Sequence, residues 1–182
     1  TLSLHDARPI LAIEHLQLYK MSFASVKSIN PDLIEKVGES LSAITELWNE
    51  HKSFSLFLSF FRINLYFQQI LGNYAKALEG CQMATDYFKD HPHLVTNNRL
   101  IEIALHKNLC YLYLRQYKEG IDNIKESLPL LQEGSSGWFD FMEEYFLLNF
   151  QGGSKEEANQ VYNSVVNHIS FTTLPAHRKE TW

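Results

Sequence analysis

Cysteine is scarce in this chain, which has two among its 182 residues. A disulfide framework of the kind that staples small secreted domains is therefore excluded as the source of the fold. Cys81 and Cys110 both lie among apolar residues that recur at helical spacing, so we predict two buried thiols, with a disulfide between them as the less favoured alternative. Buried thiols agree with a reducing compartment, and we expect a cytoplasmic location.

Positive charge is also in short supply. The chain has 16 lysines and arginines against 21 aspartates and glutamates, which gives a formal net charge of -5 and a pI near 5.9. Proteins that bind nucleic acid neutralise its phosphates with a basic surface. We therefore do not expect direct nucleic-acid binding.

Long uninterrupted apolar runs are missing. The most apolar stretch, residues 54–71, is broken by polar side chains along its whole length. These are Ser55, Ser59, Arg62, Asn64, Gln68 and Gln69. A helix that crosses a membrane needs about 20 predominantly apolar residues, so we predict a helix buried on two sides and no membrane partner.

Motifs for catalysis or metal binding are missing as well. The sequence has no Gly-x-Ser-x-Gly motif, and its Gly152-Gly153-Ser154-Lys155 run follows a predicted helix where a phosphate-binding loop would follow a strand. His91 and His93 lie beside Asp90, but a closed metal site needs further ligands that the surrounding sequence does not supply. The chain is predicted to be non-enzymatic, without metal or cofactor.

Two pairs of adjacent glutamates could suggest acid–base chemistry. They are Glu143 with Glu144 and Glu156 with Glu157. Neighbouring residues on a helix point in different directions, so neither pair converges on one substrate atom. The second pair falls in the first turn of a predicted helix, where negative charge is favourable in any case.

The first ten residues are set apart from the rest. The chain begins at Thr1 without a methionine, and residues 1–10 resemble a conceptual translation of sequencing-adapter DNA. We expect this segment to be non-native and residues 11–182 to form a single helical domain. We also expect that domain to be a fragment, truncated at both ends, of a larger bacterial-type protein.

Hydrophobic spacing predicts an all-α fold. Apolar residues recur every three or four positions, and no stretch alternates with the period of two that a strand requires. The predicted helices span residues 11–26, 31–50, 54–71, 74–89, 100–114, 117–128, 138–150 and 155–169, with the first turns of another at 176–182. Pro129 is expected to kink or stop its helix, because proline removes a backbone hydrogen bond.

A pattern at the turn in residues 71–78 returns at 114–121 and 151–158, which indicates a repeat of helical hairpins. The hairpins span residues 54–91, 98–132 and 138–170 and resemble the tetratricopeptide repeat family. The positions that carry the resemblance are Phe61, Gly72, Tyr74, Ala77, Ala84, Tyr111, Tyr117, Gly120, Gly153, Ala158 and Tyr162. In departure from the family, Leu65 and Asn108 replace the glycine usual in the first helix of a hairpin, and Lys155 replaces the turn aromatic. The resemblance implies antiparallel hairpins stacked as a short right-handed solenoid of about eight helices.

The resemblance also implies a concave groove lined by the first helix of each hairpin. The groove positions would be Arg62, Tyr66, Gln69, Glu102, His106, Tyr113, Asp140 and Glu143. Among them only Arg62 has the charge suited to a clamp for a C-terminal carboxylate, so that ligand class is not supported. His106 is expected to be a ligand contact or, as the favoured alternative, an ordinary surface histidine.

The function expected on this basis is a non-enzymatic scaffold that binds a protein or peptide partner, and self-association is compatible with it. The alternative is a ligand-sensing regulatory segment of a multidomain transcription or signalling regulator. A DNA-binding or kinase-like domain elsewhere in the reading frame would favour the alternative.

Overall fold

The described part of the chain is entirely helical. A computed structural model describes residues 31–182, and the predicted segment 1–10 and helix 11–26 lie outside them. The α-helices are α1 (Pro31–His51), α2 (Phe54–Ile70), α3 (Tyr74–Asp90), α4 (Asn97–Tyr113), α5 (Tyr117–Ser127), α6 (Ser136–Gly152), α7 (Lys155–Val166) and α8 (Ala176–Lys179). Short 3-10 helices occupy Pro92–Leu94, Leu128–Leu130 and Ile169–Thr173. Residues 31–182 contain no strand, so the all-α prediction is confirmed.

Side-chain caps fix where four of these helices begin. The hydroxyls of Ser53, Thr96, Ser135 and Ser154 each accept a hydrogen bond from the backbone N–H three residues later. Two predicted helix starts are too late. α4 begins at Asn97, three residues earlier than predicted, and α6 begins at Ser136, two residues earlier. In both cases the capping residue, Thr96 or Ser135, marks the true start. The first turn of a helix often carries no apolar pattern of its own, so periodicity places its start too late.

Ser154 followed by Glu157 predicts a capping box at the start of α7, and only half of this box is formed. The Ser154 hydroxyl accepts from the Glu157 N–H at 3.2 Å. The reciprocal bond is replaced, because the Ser154 N–H donates to Asn149 Oδ1 at 3.4 Å and the Glu157 carboxylate pairs with Lys125 at 3.4 Å. Glu157 thus ties α7 to α5 in place of closing its own cap.

Two of the three repeated turns reverse the chain through a left-handed residue. Gly72 has φ +72° and Arg115 has φ +58°, and each directly follows the capping residue of its helix. Glycine tolerates this conformation freely, whereas arginine adopts it at some cost. Pro129 ends α5 as expected, since the chain continues there as the 3-10 helix Leu128–Leu130.

The chain divides into two compact units at Gly80, within α3. In the described part of the first unit, α1 packs against α2. Trp48 of α1 contacts two rings of α2, with centroids 5.6 Å from Phe57 and 5.7 Å from Phe60. Phe57, Phe61 and Leu65 of α2 are buried, which explains the strongly apolar sequence of this helix.

In the second unit, residues 81–182, each hairpin packs internally and against the next. α4 packs on α5, α5 on α6, α6 on α7, and α4 also contacts α6. One core cluster joins Ala104, Ile124, Phe141 and Leu148, and another joins Trp138, Phe139, Met142, Val161 and Val165. α6 contributes to both clusters, so it is apolar on two faces, as stacked hairpins require.

The sequence predicts helix 155–169 with an apolar stripe of Ala158, Val161, Tyr162, Val165, Val166 and Ile169, and this prediction is partly wrong. Ala158, Val161 and Val165 are buried, but Tyr162 is 38% exposed. α7 ends at Val166, and Ile169, predicted to continue the stripe, lies in the following 3-10 helix with 83% exposure. The change of helical type rotates Ile169 away from the stripe that the α-helical period gives it.

Of the eleven positions that carry the family resemblance, eight are buried or half-buried. Phe61, Ala77, Ala84, Gly120 and Ala158 are buried, Tyr74, Tyr111 and Tyr117 are half-buried, and Gly72, Gly153 and Tyr162 are exposed. At Gly120, an added Cβ would lie 2.8 Å from one methyl of Leu148 and 3.2 Å from the Tyr111 Cβ. The absence of a side chain at Gly120 is what lets α5 approach both neighbouring helices.

Gly120→Val is therefore expected to lower the free energy of unfolding by about 2 to 3 kcal/mol, because two packed helices must separate to admit the side chain. Chemical denaturation monitored by circular dichroism measures this value. Gly120→Val in a Leu148→Ala background should cost less, since the methyl groups in closest contact are gone. Equal costs in the two backgrounds would contradict the packing argument.

Candidate partner-binding face and a buried carboxyl

The predicted groove residues lie on the first helices of the hairpins, as intended, but in two different units. Arg62, Tyr66 and Gln69 lie on α2 in the first unit. The other five lie in the second unit, with Glu102, His106 and Tyr113 on α4 and Asp140 and Glu143 on α6. Arg62 and Tyr113 are exposed, and the remaining positions apart from His106 are half-buried.

His106 is not a surface residue. It is 7% exposed and belongs to the buried part of α4, so neither accessible role proposed for it from the sequence is correct. His106 lies one turn after Glu102, which is half-buried, so exposure changes within one turn of the same stripe.

α6 presents one face that combines acidic and aromatic side chains. Asp140, Glu143, Phe146 and Phe150 follow each other by three and four residues and lie on one side of the helix. We call these four residues the acidic-aromatic face. Phe146 stacks on Phe150 with centroids 5.7 Å apart, and Tyr162 of α7 borders the pair at 6.5 Å from Phe146. Phe150 is 58% exposed, so the face offers apolar surface to the solvent.

The C-terminal segment, residues 176–182, contacts this face. The Arg178 Nη2 lies 2.7 Å from the Asp140 Oδ1. The Trp182 ring lies 5.9 Å from the Phe146 ring. Asp140, predicted as a partner-binding residue, therefore pairs with a basic residue of its own chain.

One turn after Asp140 on the same helix lies a carboxyl with a buried oxygen. Glu144 is half-buried as a residue, but its Oε2 is shielded from solvent, and this desolvation raises the pKa of its carboxyl to about 8. The Asn108 side chain on α4 opposes the rise in pKa, whereas the negative charges of Asp140 and Glu143 add to it. A carboxyl with this pKa carries a proton at neutral pH in the folded chain.

Asn108 links this carboxyl to α5. The Asn108 Oδ1 accepts from the Asn123 Nδ2 at 2.5 Å, and the same Asn123 amide donates to the Ala104 backbone oxygen at 3.0 Å. Within the part of the chain that the structure describes, neither the Asn108 Nδ2 nor the Glu144 Oε2 meets a partner in hydrogen-bond geometry. Hydrogen bonds therefore join α4 to α5, while Asn108 and the Glu144 carboxyl on α6 lie close to each other without a hydrogen bond of good geometry.

The sequence did not predict this network, but one residue in it was a signal. Asn108 stands where the tetratricopeptide family has a glycine in the first helix of a hairpin. A polar side chain at a position that the fold reserves for close packing must find a polar partner inside the protein. Asn123 is that partner, and the Glu144 carboxyl lies beside the same Asn108 side chain.

The other candidate sites are occupied by structural contacts. The His91 ring stacks on Tyr87 at 4.2 Å, and its Nδ1 lies 2.9 Å from the Tyr87 backbone oxygen. Among residues 31–182, no group of three or more potential ligands is placed to hold a metal ion. Cys81 and Cys110 are both buried thiols, and burial raises the pKa of Cys81 to about 12. A thiol with this pKa is a poor nucleophile at neutral pH.

A shallow cleft of about 210 Å³ opens between α3, α4 and α5. Its polar lining includes Thr85, Asn123 and Ser127. The Thr85 and Ser127 hydroxyls donate to backbone oxygens one turn earlier, and the Asn123 amide is engaged as described above. Most polar groups of the cleft are committed to the fold, which makes the acidic-aromatic face the stronger candidate for binding.

Comparison with protein-family models, with curated proteins and with the solved structures finds no match to this chain. The geometry of its own residues therefore carries the functional argument. In the described range 31–182, every helix is too short or too polar to cross a lipid bilayer.

Proposed function

We propose that this chain is a non-enzymatic binding module that holds a protein or peptide partner on the first helices of its hairpins. In this proposal the hairpins stack as in the tetratricopeptide family. The observation that carries it is the pair of aromatic side chains Tyr113 and Phe150, each 58% exposed, at the C-terminal ends of α4 and α6. These two helices contact one another, so both rings lie on neighbouring helices of the second unit.

Exposed aromatic rings on rigid helices are suited to binding. They supply large contact area with few rotatable bonds, and such residues dominate the binding energy of many interfaces. Half-buried acidic residues, Glu102 on α4 and Glu143 on α6, would provide the polar rim that surrounds such anchors. A regulatory segment that senses a ligand is the alternative, in which the same surface would bind the signal.

The test compares what the chain and two matched double variants capture from a cell extract. Tyr113→Ala with Phe150→Ala removes both exposed rings. Val95→Ala with Ile169→Ala, at 36% and 83% exposure, removes exposed apolar surface outside the first helices of the hairpins. Captured proteins are quantified by mass spectrometry, with the unmodified chain as competitor.

We expect at least one protein that binds saturably to the unmodified chain and to the Val95–Ile169 variant. Its binding to the Tyr113–Phe150 variant should fall about tenfold or more, as expected for loss of an aromatic anchor. If every saturable partner binds both variants equally, the proposed surface is wrong.

A further inference from the structure

The C-terminal segment, residues 176–182, shows what kind of ligand the acidic-aromatic face of α6 accepts. Arg178 and Trp182 are four positions apart, and the turn that joins them is closed by the Trp182 N–H donating to the Lys179 backbone oxygen at 3.2 Å. This spacing puts both side chains on one side of the segment. The arginine meets the acidic end of the face at Asp140 and the tryptophan meets its aromatic part at Phe146.

The segment covers the face incompletely. Phe150 remains 58% exposed and Tyr162 at its border 38% exposed. α8 itself has only four residues. The apolar surface beyond Phe146 therefore extends past the reach of this short helix.

The contact between residues 176–182 and the face is also weak enough for another ligand to displace it. The Arg178–Asp140 pair keeps 26% and 36% side-chain exposure, so water and salt weaken it. The Trp182 Nε1 is buried without a hydrogen-bond partner among the described residues, and an unsatisfied buried donor is unfavourable. A longer helix that satisfies its own polar groups and also covers Phe150 would compete effectively.

We propose that the acidic-aromatic face of α6 binds a partner helix carrying a basic and an aromatic residue four positions apart, and that residues 176–182 occupy the face until the partner displaces them. The proposal rests on the proposed function, whose partner it specifies by chemistry. Asp140 and Glu143 select positive charge, and Phe146 with Phe150 supplies the apolar anchor.

The probe is a fluorescein-labelled, alanine-based peptide of about 15 residues, long enough to form a helix, with one arginine and one tryptophan four positions apart. Fluorescence polarisation measures its affinity for the full chain. Arg178→Ala with Trp182→Ala removes the internal competitor and should tighten binding about tenfold. Asp140→Asn with Phe150→Ala should weaken it about tenfold or more, whereas Asp122→Asn with Val95→Ala, outside the face, should leave it unchanged.

A charge exchange tests the pairing itself. Asp140→Lys should abolish binding of the arginine peptide and allow binding of a peptide in which glutamate replaces the arginine.

Hydrogen exchange on the unmodified chain provides a readout that does not depend on a variant folding. Saturating peptide should speed exchange in residues 176–182 and slow it in residues 140–150.

No measurable binding of the arginine–tryptophan peptide to the folded Arg178–Trp182 variant would overturn the inference. So would peptide binding that leaves exchange in residues 176–182 unchanged. Either result can occur while extract partners still depend on Tyr113 and Phe150, in which case the proposed function stands and only the partner chemistry fails.

Discussion

Glu144→Gln is expected to make the chain more stable at alkaline pH and to remove a large part of the pH dependence of its stability. Glutamine has nearly the volume of glutamic acid and keeps a polar group beside Asn108, but it never ionises. The unmodified carboxyl must either keep its proton or place a charge among packed helices. The advantage of the variant therefore grows as the pH rises.

The direction follows from the raised pKa. Burial raises the pKa of Glu144 from 4.5 to about 8, so between these pH values the folded chain holds a proton that the unfolded chain releases. Stability from this group is fully present below pH 4.5 and is lost as the pH rises to about 8. Between pH 5 and pH 9 the advantage of Glu144→Gln should increase on the order of 4 kcal/mol.

Urea denaturation of both proteins at several pH values measures this difference, and all other titrating groups cancel in the comparison. Glu143→Gln is the matched control, because it makes the same substitution one residue away on α6. Its free energy of unfolding should change by less than about 1 kcal/mol across the same range. A constant difference between Glu144→Gln and the unmodified chain would show that Glu144 ionises normally.

The helices of this chain could be predicted because their signals are local. Residues 31–50 carry an apolar residue every three or four positions behind an Asn30-Pro31 start, and α1 spans nearly the same range as predicted. Pro129 and Gly72 act on the backbone directly, so their effects on the chain also followed from the sequence.

Burial of individual polar residues could not be predicted in the same way. The helical period puts His106 on the stripe with Glu102 and Tyr113, but whether a stripe meets water depends on which helices pack beside it. His106 is 7% exposed, whereas Tyr113 at the end of the same helix is 58% exposed. The pKa of Glu144 could not be predicted for the same reason, since it depends on desolvation and on the Asn108 side chain that α4 brings near the carboxyl.

Gly152 has a packing role that the turn motif at Gly152-Gly153 does not indicate. The sequence predicted that the pair would break the preceding helix after residue 150, yet α6 continues through Gly152. A Cβ added at Gly152 would overlap the ring of Tyr117, the turn aromatic of the preceding hairpin. That ring packs on the cluster that contains Ile124 and Leu148. Gly152 therefore leaves room for the Tyr117 ring, which comes from the preceding hairpin.

Gly152→Ala is accordingly expected to lower the free energy of unfolding by about 3 kcal/mol, because a packed ring must leave its place. Gly38→Ala is the matched comparison: a Cβ there meets nothing within 4 Å in the described residues. It lies inside α1, so alanine should stabilise by about 0.5 to 1 kcal/mol.

Denaturation of a Tyr117→Ala background isolates the cause. With the ring removed, Gly152→Ala should cost less than about 1 kcal/mol, leaving a coupling energy of about 2 kcal/mol between the two positions. A full cost in both backgrounds would mean that Gly152 is needed for the backbone at the end of α6. The coupled result would mean that Tyr117 and Gly152 act as a pair, through which the hairpin that contains α5 fixes the position of α6.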